Sequence, residues 1–81
     1  MRNYMYKIYF STDNKFLRNE IVVYTCGEVS AYLLAIAERI RQGKEYQSAE
    51  RIEMYKDTAF DFPYSTTYID KKFKKQILKA L

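Results

Sequence analysis

The chain begins with two segments whose residues favour β-strands. Residues 4–10 (Tyr-Met-Tyr-Lys-Ile-Tyr-Phe) contain no Gly or Pro that would interrupt a strand. Turn-forming residues at 11–15 separate this segment from a β-branched segment at residues 20–25. The pattern predicts an antiparallel hairpin with a long connection.

A helix is predicted after the hairpin. Thr25 and Glu28 have the spacing of a capping box, in which Glu28 reaches back to the amide of Thr25. Apolar residues then recur at helical spacing, and Gly43 supplies the stop. The predicted buried stripe consists of Val29, Leu33, Ile36, Ala37 and Ile40.

The second half of the chain predicts one strand and one helix. Residues 51–57 alternate like a strand, although their Glu, Arg and Met residues also favour a helix. Residues 59–65 read as an aromatic connection that packs over the core. Thr66 or Thr67 then caps a helix that runs to Leu81. Its buried stripe consists of Ile69, Phe73, Ile77 and Leu81.

These elements define the expected fold class. The order β-β-α-β-α predicts one α+β domain over residues 1–81, with two helices on one face of a three-stranded antiparallel sheet. Hydrophobic residues make up 48% and charged residues 30% of the 81 positions, which is globular composition.

The net positive charge belongs to the last helix. The chain has 14 basic and 10 acidic residues, a net charge of +4. Residues 66–81 hold five lysines and one aspartate, so 5 − 1 = +4 and the remainder is neutral. Four of these lysines form a candidate stripe for an anionic partner: Lys71, Lys72, Lys75 and Lys79. The alternative is a solvated helix face, and the absence of arginine weakens the case for phosphate binding.

Tyrosines provide a second candidate surface. Alternation places Tyr9, Tyr24 and Tyr55 on the side of the sheet away from the core. Exposed tyrosines are typical of protein-binding surfaces and also stack on single-stranded bases. We rank protein contact first, structural packing second and single-stranded nucleic acid third, because no RNA-recognition signature is present.

The residue inventory argues against catalysis. The chain contains no histidine, one cysteine and two separated glycines. These counts exclude histidine-based catalytic triads, cysteine-based structural zinc and a glycine-rich phosphate loop. Cys26 is expected to be a semi-buried, unreactive thiol, and neither a cofactor nor a metal is expected. The longest apolar run, residues 31–37, is too short to span a membrane.

The sequence therefore predicts a small cytoplasmic, non-enzymatic binding protein, acting as an accessory or inhibitor protein through protein contact. Small proteins of phages and mobile elements, including inhibitors of host defence nucleases, often have these features. Such an origin is suggested by this association and not by a motif in the chain. Two alternatives stay open: nucleic-acid binding through the lysine-rich helix, and a structural homodimerisation module.

Overall fold

The computed structural model describes residues 2–11, 19–43, 48–57, 59 and 61–80. Its elements, in chain order, are β1 (Tyr4–Phe10), β2 (Glu20–Thr25), α1 (Glu28–Arg41), β3 (Ala49–Tyr55), β4 (Ser65–Tyr68) and α2 (Lys71–Ala80). Residues 12–15 of the predicted turn and the predicted core residue Leu81 lie outside the described residues. Both strands of the predicted hairpin are present with the expected bounds.

The four strands form one antiparallel sheet in the order β2-β1-β3-β4. The predicted α+β class is confirmed, and the predicted count of three strands is wrong. The additional strand is β4, which pairs with β3 through Arg51 opposite Tyr68 and Ile52 opposite Thr67. Threonine favours both helix caps and strands, and the sequence prediction chose the cap.

Both helices pack on one face of the sheet, and the core lies between these two layers. The centre of the core is a row of isoleucines across three strands, in which Ile8 pairs with Ile21 on one side and Ile52 on the other. Ile8 and Ile52 are almost completely buried. The helices add Ala31, Ala35, Phe73 and Ile77 to this core.

Helix α1 buries a different stripe from the one predicted. Its buried residues are Ala31, Ala35 and Arg39. Of the predicted stripe, Val29 and Ile36 pack partly buried against the core, whereas Leu33, Ala37 and Ile40 are exposed. Alanines allow the helix to approach the sheet closely. The Arg39 guanidinium lies 4.6 Å from the ring centroid of Phe10, a cation–π contact that accommodates an arginine at a buried position. Apolar spacing alone therefore misplaced the helix by a fraction of a turn.

The caps of both helices also differ from the predictions. Helix α1 begins at Glu28, and Gly27 is its N-cap residue. Glu28 is therefore the first residue of the helix, whereas a capping box with Thr25 would require it to be the third. Glu28 instead accepts a hydrogen bond of 2.8 Å from the hydroxyl of Thr67, which joins α1 to β4. Asp70, rather than a threonine, caps α2 by accepting a 2.9 Å hydrogen bond from the amide of Phe73. The predicted stop at Gly43 is confirmed by its φ of 68°.

Candidate functional site

The side of the sheet opposite the helices forms a surface that we call the outer face. Strand alternation determines which side chains point to it. Its residues are Met5, Lys7 and Tyr9 of β1, Glu20, Val22 and Tyr24 of β2, Arg51, Glu53 and Tyr55 of β3, and Thr66 and Tyr68 of β4. No helix of the described part of the chain covers this face.

A hydrogen-bonded cluster around one carboxylate occupies the middle of the outer face. The hydroxyl of Tyr55 donates to Glu53 Oε1 at 2.8 Å, and Arg51 Nε donates to Glu53 Oε2 at 3.4 Å. The ring of Tyr9 lies under Arg51, with the guanidinium carbon 3.9 Å from the ring centroid. We call these four side chains, Tyr9, Arg51, Glu53 and Tyr55, the Glu53 network.

Lys7 extends the same arrangement towards the other end of β1. Its Nζ lies 4.8 Å from the ring centroid of Tyr55. Each cation of the outer face therefore lies over a tyrosine ring, a contact that contributes about 0.5–1 kcal/mol at an exposed site. These contacts fix the orientation of both rings and of the two basic side chains.

The Glu53 network shifts the pKa values of its members in opposite directions. Burial followed by hydrogen bonding to Glu53 raises the pKa of Tyr55 to about 12. Burial is also the largest cause that raises the pKa of Tyr9 well above its usual value, and the hydrogen bond to the same carboxylate is the next largest. Burial alone would raise the pKa of Glu53, but hydrogen bonds from Tyr55, Tyr9 and Arg51 hold it below its usual value. The network therefore stays as a carboxylate with two protonated phenols over a wide pH range.

The three predicted tyrosines lie on the outer face but differ in accessibility. Tyr24 is 65% exposed, Tyr9 is partly covered by Arg51, and Tyr55 is only 4% exposed. A buried ring offers no face to a partner. Tyr24 is therefore the member of this set that is open to contact, and Tyr9 and Tyr55 support the surface from within the Glu53 network.

Sequence reasoning missed the part of this surface that β4 provides. Tyr68, on β4, is 66% exposed and lies directly across from Arg51. Recognition of residues 65–68 as a strand would have placed Tyr68 on the outer face by alternation with Thr67. Val22, on β2, also points to the outer face and is 46% exposed.

The predicted lysine stripe lies in the other layer of the molecule. Lys71, Lys72, Lys75 and Lys79 are all exposed on α2, away from the buried Phe73 and Ile77. Among the described residues, none of these lysines forms an ion pair with a carboxylate. The structure therefore does not bring the lysines and the tyrosines into one site, because the core separates them.

The connection between β3 and β4 also differs from its prediction. Phe62 is 80% exposed and Tyr64 is 64% exposed, so these aromatic side chains do not pack over the core. The Nζ of Lys56 lies 3.6 Å from the ring centroid of Tyr64. These residues and Asp57 line a shallow cavity of about 210 Å³.

Other kinds of site are not found in the described residues. They contain no group of three or more cysteine, aspartate and glutamate side chains arranged to hold a metal ion. No described helix is both long and apolar enough to cross a membrane. Cys26 is exposed rather than semi-buried.

No protein-family model matches this chain, and neither the curated proteins nor the solved structures include one that is detectably similar to it.

Proposed function

We propose that this chain is a small non-enzymatic binding protein that contacts a protein partner through the outer face of its sheet. One observation carries the proposal: a four-stranded face without a covering helix presents Tyr24, Tyr68 and Val22 around the Glu53 network. Tyrosine is enriched among the residues that dominate binding energy at protein interfaces. An accessory or inhibitor protein, such as one encoded by a phage or mobile element, would use such a face to occlude a larger partner.

The charge of the outer face favours a protein over a nucleic acid as its partner. Lys7 and Arg51 contribute +2, and Glu20 and Glu53 contribute −2, so the face is neutral. A nucleic-acid surface requires an excess of positive charge to replace the counterions of the phosphates. Mixed, internally paired charges around exposed tyrosines instead resemble the polar and aromatic composition of protein interfaces.

The Glu53 network supports the proposal through rigidity. Ordering a free side chain at an interface costs about 0.5–1.5 kcal/mol. Arg51 is held by the ring of Tyr9 and by Glu53, so it loses little additional freedom when a partner binds. Tyr68 and Tyr24, on the two edge strands, flank this fixed centre.

The test compares variants of the two surfaces as baits in extracts of the native host. We expect Tyr24→Ala/Tyr68→Ala to reduce capture of the partner on the order of 10-fold or more. Lys71→Gln/Lys75→Gln is the matched control, since it changes two exposed residues of the opposite layer, and it should leave capture unchanged. Circular dichroism establishes that both variants are folded. Unchanged capture by the tyrosine variant would remove the outer face from the proposal.

A second candidate function is nucleic-acid binding through α2, favoured by the exposed lysine stripe without ion pairs among the described residues. This function predicts that affinity for single-stranded DNA or RNA falls steeply with salt, with a log–log slope of about −2 to −3 for three or four phosphate contacts. Our primary proposal predicts no detectable binding to either polymer at low salt. Fluorescence anisotropy over a salt series separates the two outcomes.

A further inference from the structure

The open edge of β2 has an orientation that the hydrogen bonds of the sheet define. β2 is the first strand in the order β2-β1-β3-β4, so one of its edges has no partner strand in the described chain. The amide of Phe10 donates to the carbonyl of Asn19 at 2.8 Å, which continues the register of β1 and β2. In antiparallel pairs, hydrogen-bonded residues alternate with residues that direct their N–H and C=O groups the other way.

This alternation assigns the backbone groups at the open edge. Ile21 and Val23 bond to β1, whereas Glu20, Val22 and Tyr24 direct their N–H and C=O groups outward. The hydrogen bonds of β3 agree with this assignment. Every second residue of β3 directs its backbone groups to β4, and the residues between them direct theirs to β1. The open edge thus presents three donors and three acceptors.

Apart from the charge of Glu20 at one end, β2 has none of the sequence features that commonly protect an edge strand from pairing. Edge strands of soluble proteins are commonly protected by lysine, proline, a β-bulge or a short length. β2 is a six-residue strand with the sequence Glu-Ile-Val-Val-Tyr-Thr, and its register with β1 contains no shift. By contrast, β4 has four residues and its open edge is correspondingly short.

We propose that the chain forms a two-fold symmetric homodimer in which the β2 strands of two copies pair antiparallel, with the symmetry axis at Val22. Val22 then lies opposite its own copy, and Glu20 lies opposite Tyr24 of the second copy. Three outward residues with one N–H and one C=O each give 3 + 3 groups per chain, so two chains form six hydrogen bonds. Two four-stranded sheets become one continuous eight-stranded sheet.

Self-complementarity identifies a second copy as the occupant. Directly opposed residues in an antiparallel pair point to the same side of the sheet, so an outer-face residue must face an outer-face residue. With the axis at Val22, all outward groups of β2 are paired. An axis shifted by one residue, to Val23, leaves the groups of Glu20 unpaired at both ends.

The charges and the available space also permit this pairing. Glu20 is the single charged residue of β2, and its two copies lie at opposite ends of the paired strands. Each Glu20 carboxylate lies opposite a tyrosine, whose hydroxyl is a hydrogen-bond donor. A groove of about 560 Å³ beside the edge, lined on its helix side by Leu34, Glu38 and Gln42, leaves room for the incoming strand.

This inference is independent of the proposed function, because the dimer requires no foreign partner. It also enlarges the outer face, since the side chains of Val22 and Tyr24 from both copies would form one continuous patch.

The first test is the molar mass of the purified chain in solution by light scattering. We expect twice the mass of one chain for the wild type. Val22→Pro removes an N–H that points to the open edge rather than to β1, so it should leave the monomer folded and weaken association by about tenfold or more. Thr66→Pro, at an outward position of β4, is the matched control and should remain dimeric. Val22→Lys gives a second variant if the proline variant does not fold.

Disulfide cross-linking in a Cys26→Ser background tests the register. Val22→Cys copies would have Cα atoms about 5.5 Å apart, within the range of a disulfide, and should cross-link on mild oxidation. Tyr24→Cys copies would be on the order of 13 Å apart and should not cross-link. A mixture of Glu20→Cys and Tyr24→Cys proteins should form the mixed disulfide.

Two results would overturn the proposal. One is a wild type that stays monomeric at protein concentrations up to about 1 mM. This result would also overturn the proposal if the β2 edge of the monomer bound an extended peptide from another protein. The other is cross-linking of Tyr24→Cys without cross-linking of Val22→Cys, which places the axis elsewhere.

Discussion

Replacing Ile8 with alanine lowers the free energy of unfolding by about 3–4 kcal/mol, the largest effect among the variants that we propose. Ile8 is fully buried and lies between Ile21 and Ile52 at the centre of the sheet. Its truncation leaves a cavity below both helices, and a small domain has about 5 kcal/mol of stability in total. The variant should therefore be partly unfolded at physiological temperature.

Urea unfolding monitored by circular dichroism measures this loss. Leu78→Ala is the matched control, because Leu78 is 72% exposed on α2 and its truncation should change stability by less than about 0.5 kcal/mol. Equal losses for the two variants would contradict the position of the core between the sheet and the helices.

Glu53→Gln is expected to lower the free energy of unfolding by about 1–3 kcal/mol at neutral pH. The carboxylate accepts hydrogen bonds from Tyr55 and Arg51, and both its oxygens are engaged. Because its folded-state pKa lies below the unfolded value, the stabilisation is complete above the unfolded pKa. It is lost as the pH falls through the folded pKa, so the difference between variant and wild type should disappear in strong acid.

The alkaline limit of stability follows from the tyrosines of the same network. Their pKa values are raised on folding, so their contribution is complete below the ordinary tyrosine pKa of 10 and is lost as the pH rises through the folded values. In Glu53→Gln, the hydrogen bond to Glu53 and its negative charge are lost while the burial of Tyr55 remains. The pKa of Tyr55 should therefore fall only part of the way from about 12 towards 10 when its ring is titrated by NMR. Glu50→Gln, an exposed change on the same strand, should alter neither quantity. An unchanged pKa of Tyr55 in Glu53→Gln would exclude the Glu53 carboxylate as a contributor to the shift.

The sequence predicted those parts of the fold that local patterns determine. Alternation in β1 and β2 placed Tyr9 and Tyr24 on the side of the sheet away from the core, and Gly43 marked the end of α1. β4 escaped prediction because its residues, Ser-Thr-Thr-Tyr, suit a helix cap and a strand equally well. Pairing with β3, a tertiary contact, decides between the two.

The outer face could be predicted only in part. Tyr24 was placed correctly by alternation, but the burial of Tyr55 depends on cross-strand register, which a single strand does not encode. The orientation of α1 was misplaced for a related reason. Arg39 reads as a surface residue, and its burial against Phe10 becomes apparent only when the helix is docked on the sheet.

Site-specific photo-crosslinking in cells of the native host tests the central claim, that the outer face binds a protein partner, most directly. A photoreactive phenylalanine analogue is placed at position 68, on the outer face, or at position 75, on the exposed side of α2. We predict an adduct with one partner protein from position 68 and none from position 75. Adducts from position 75 alone would contradict the claim and would assign the working surface to the lysine stripe.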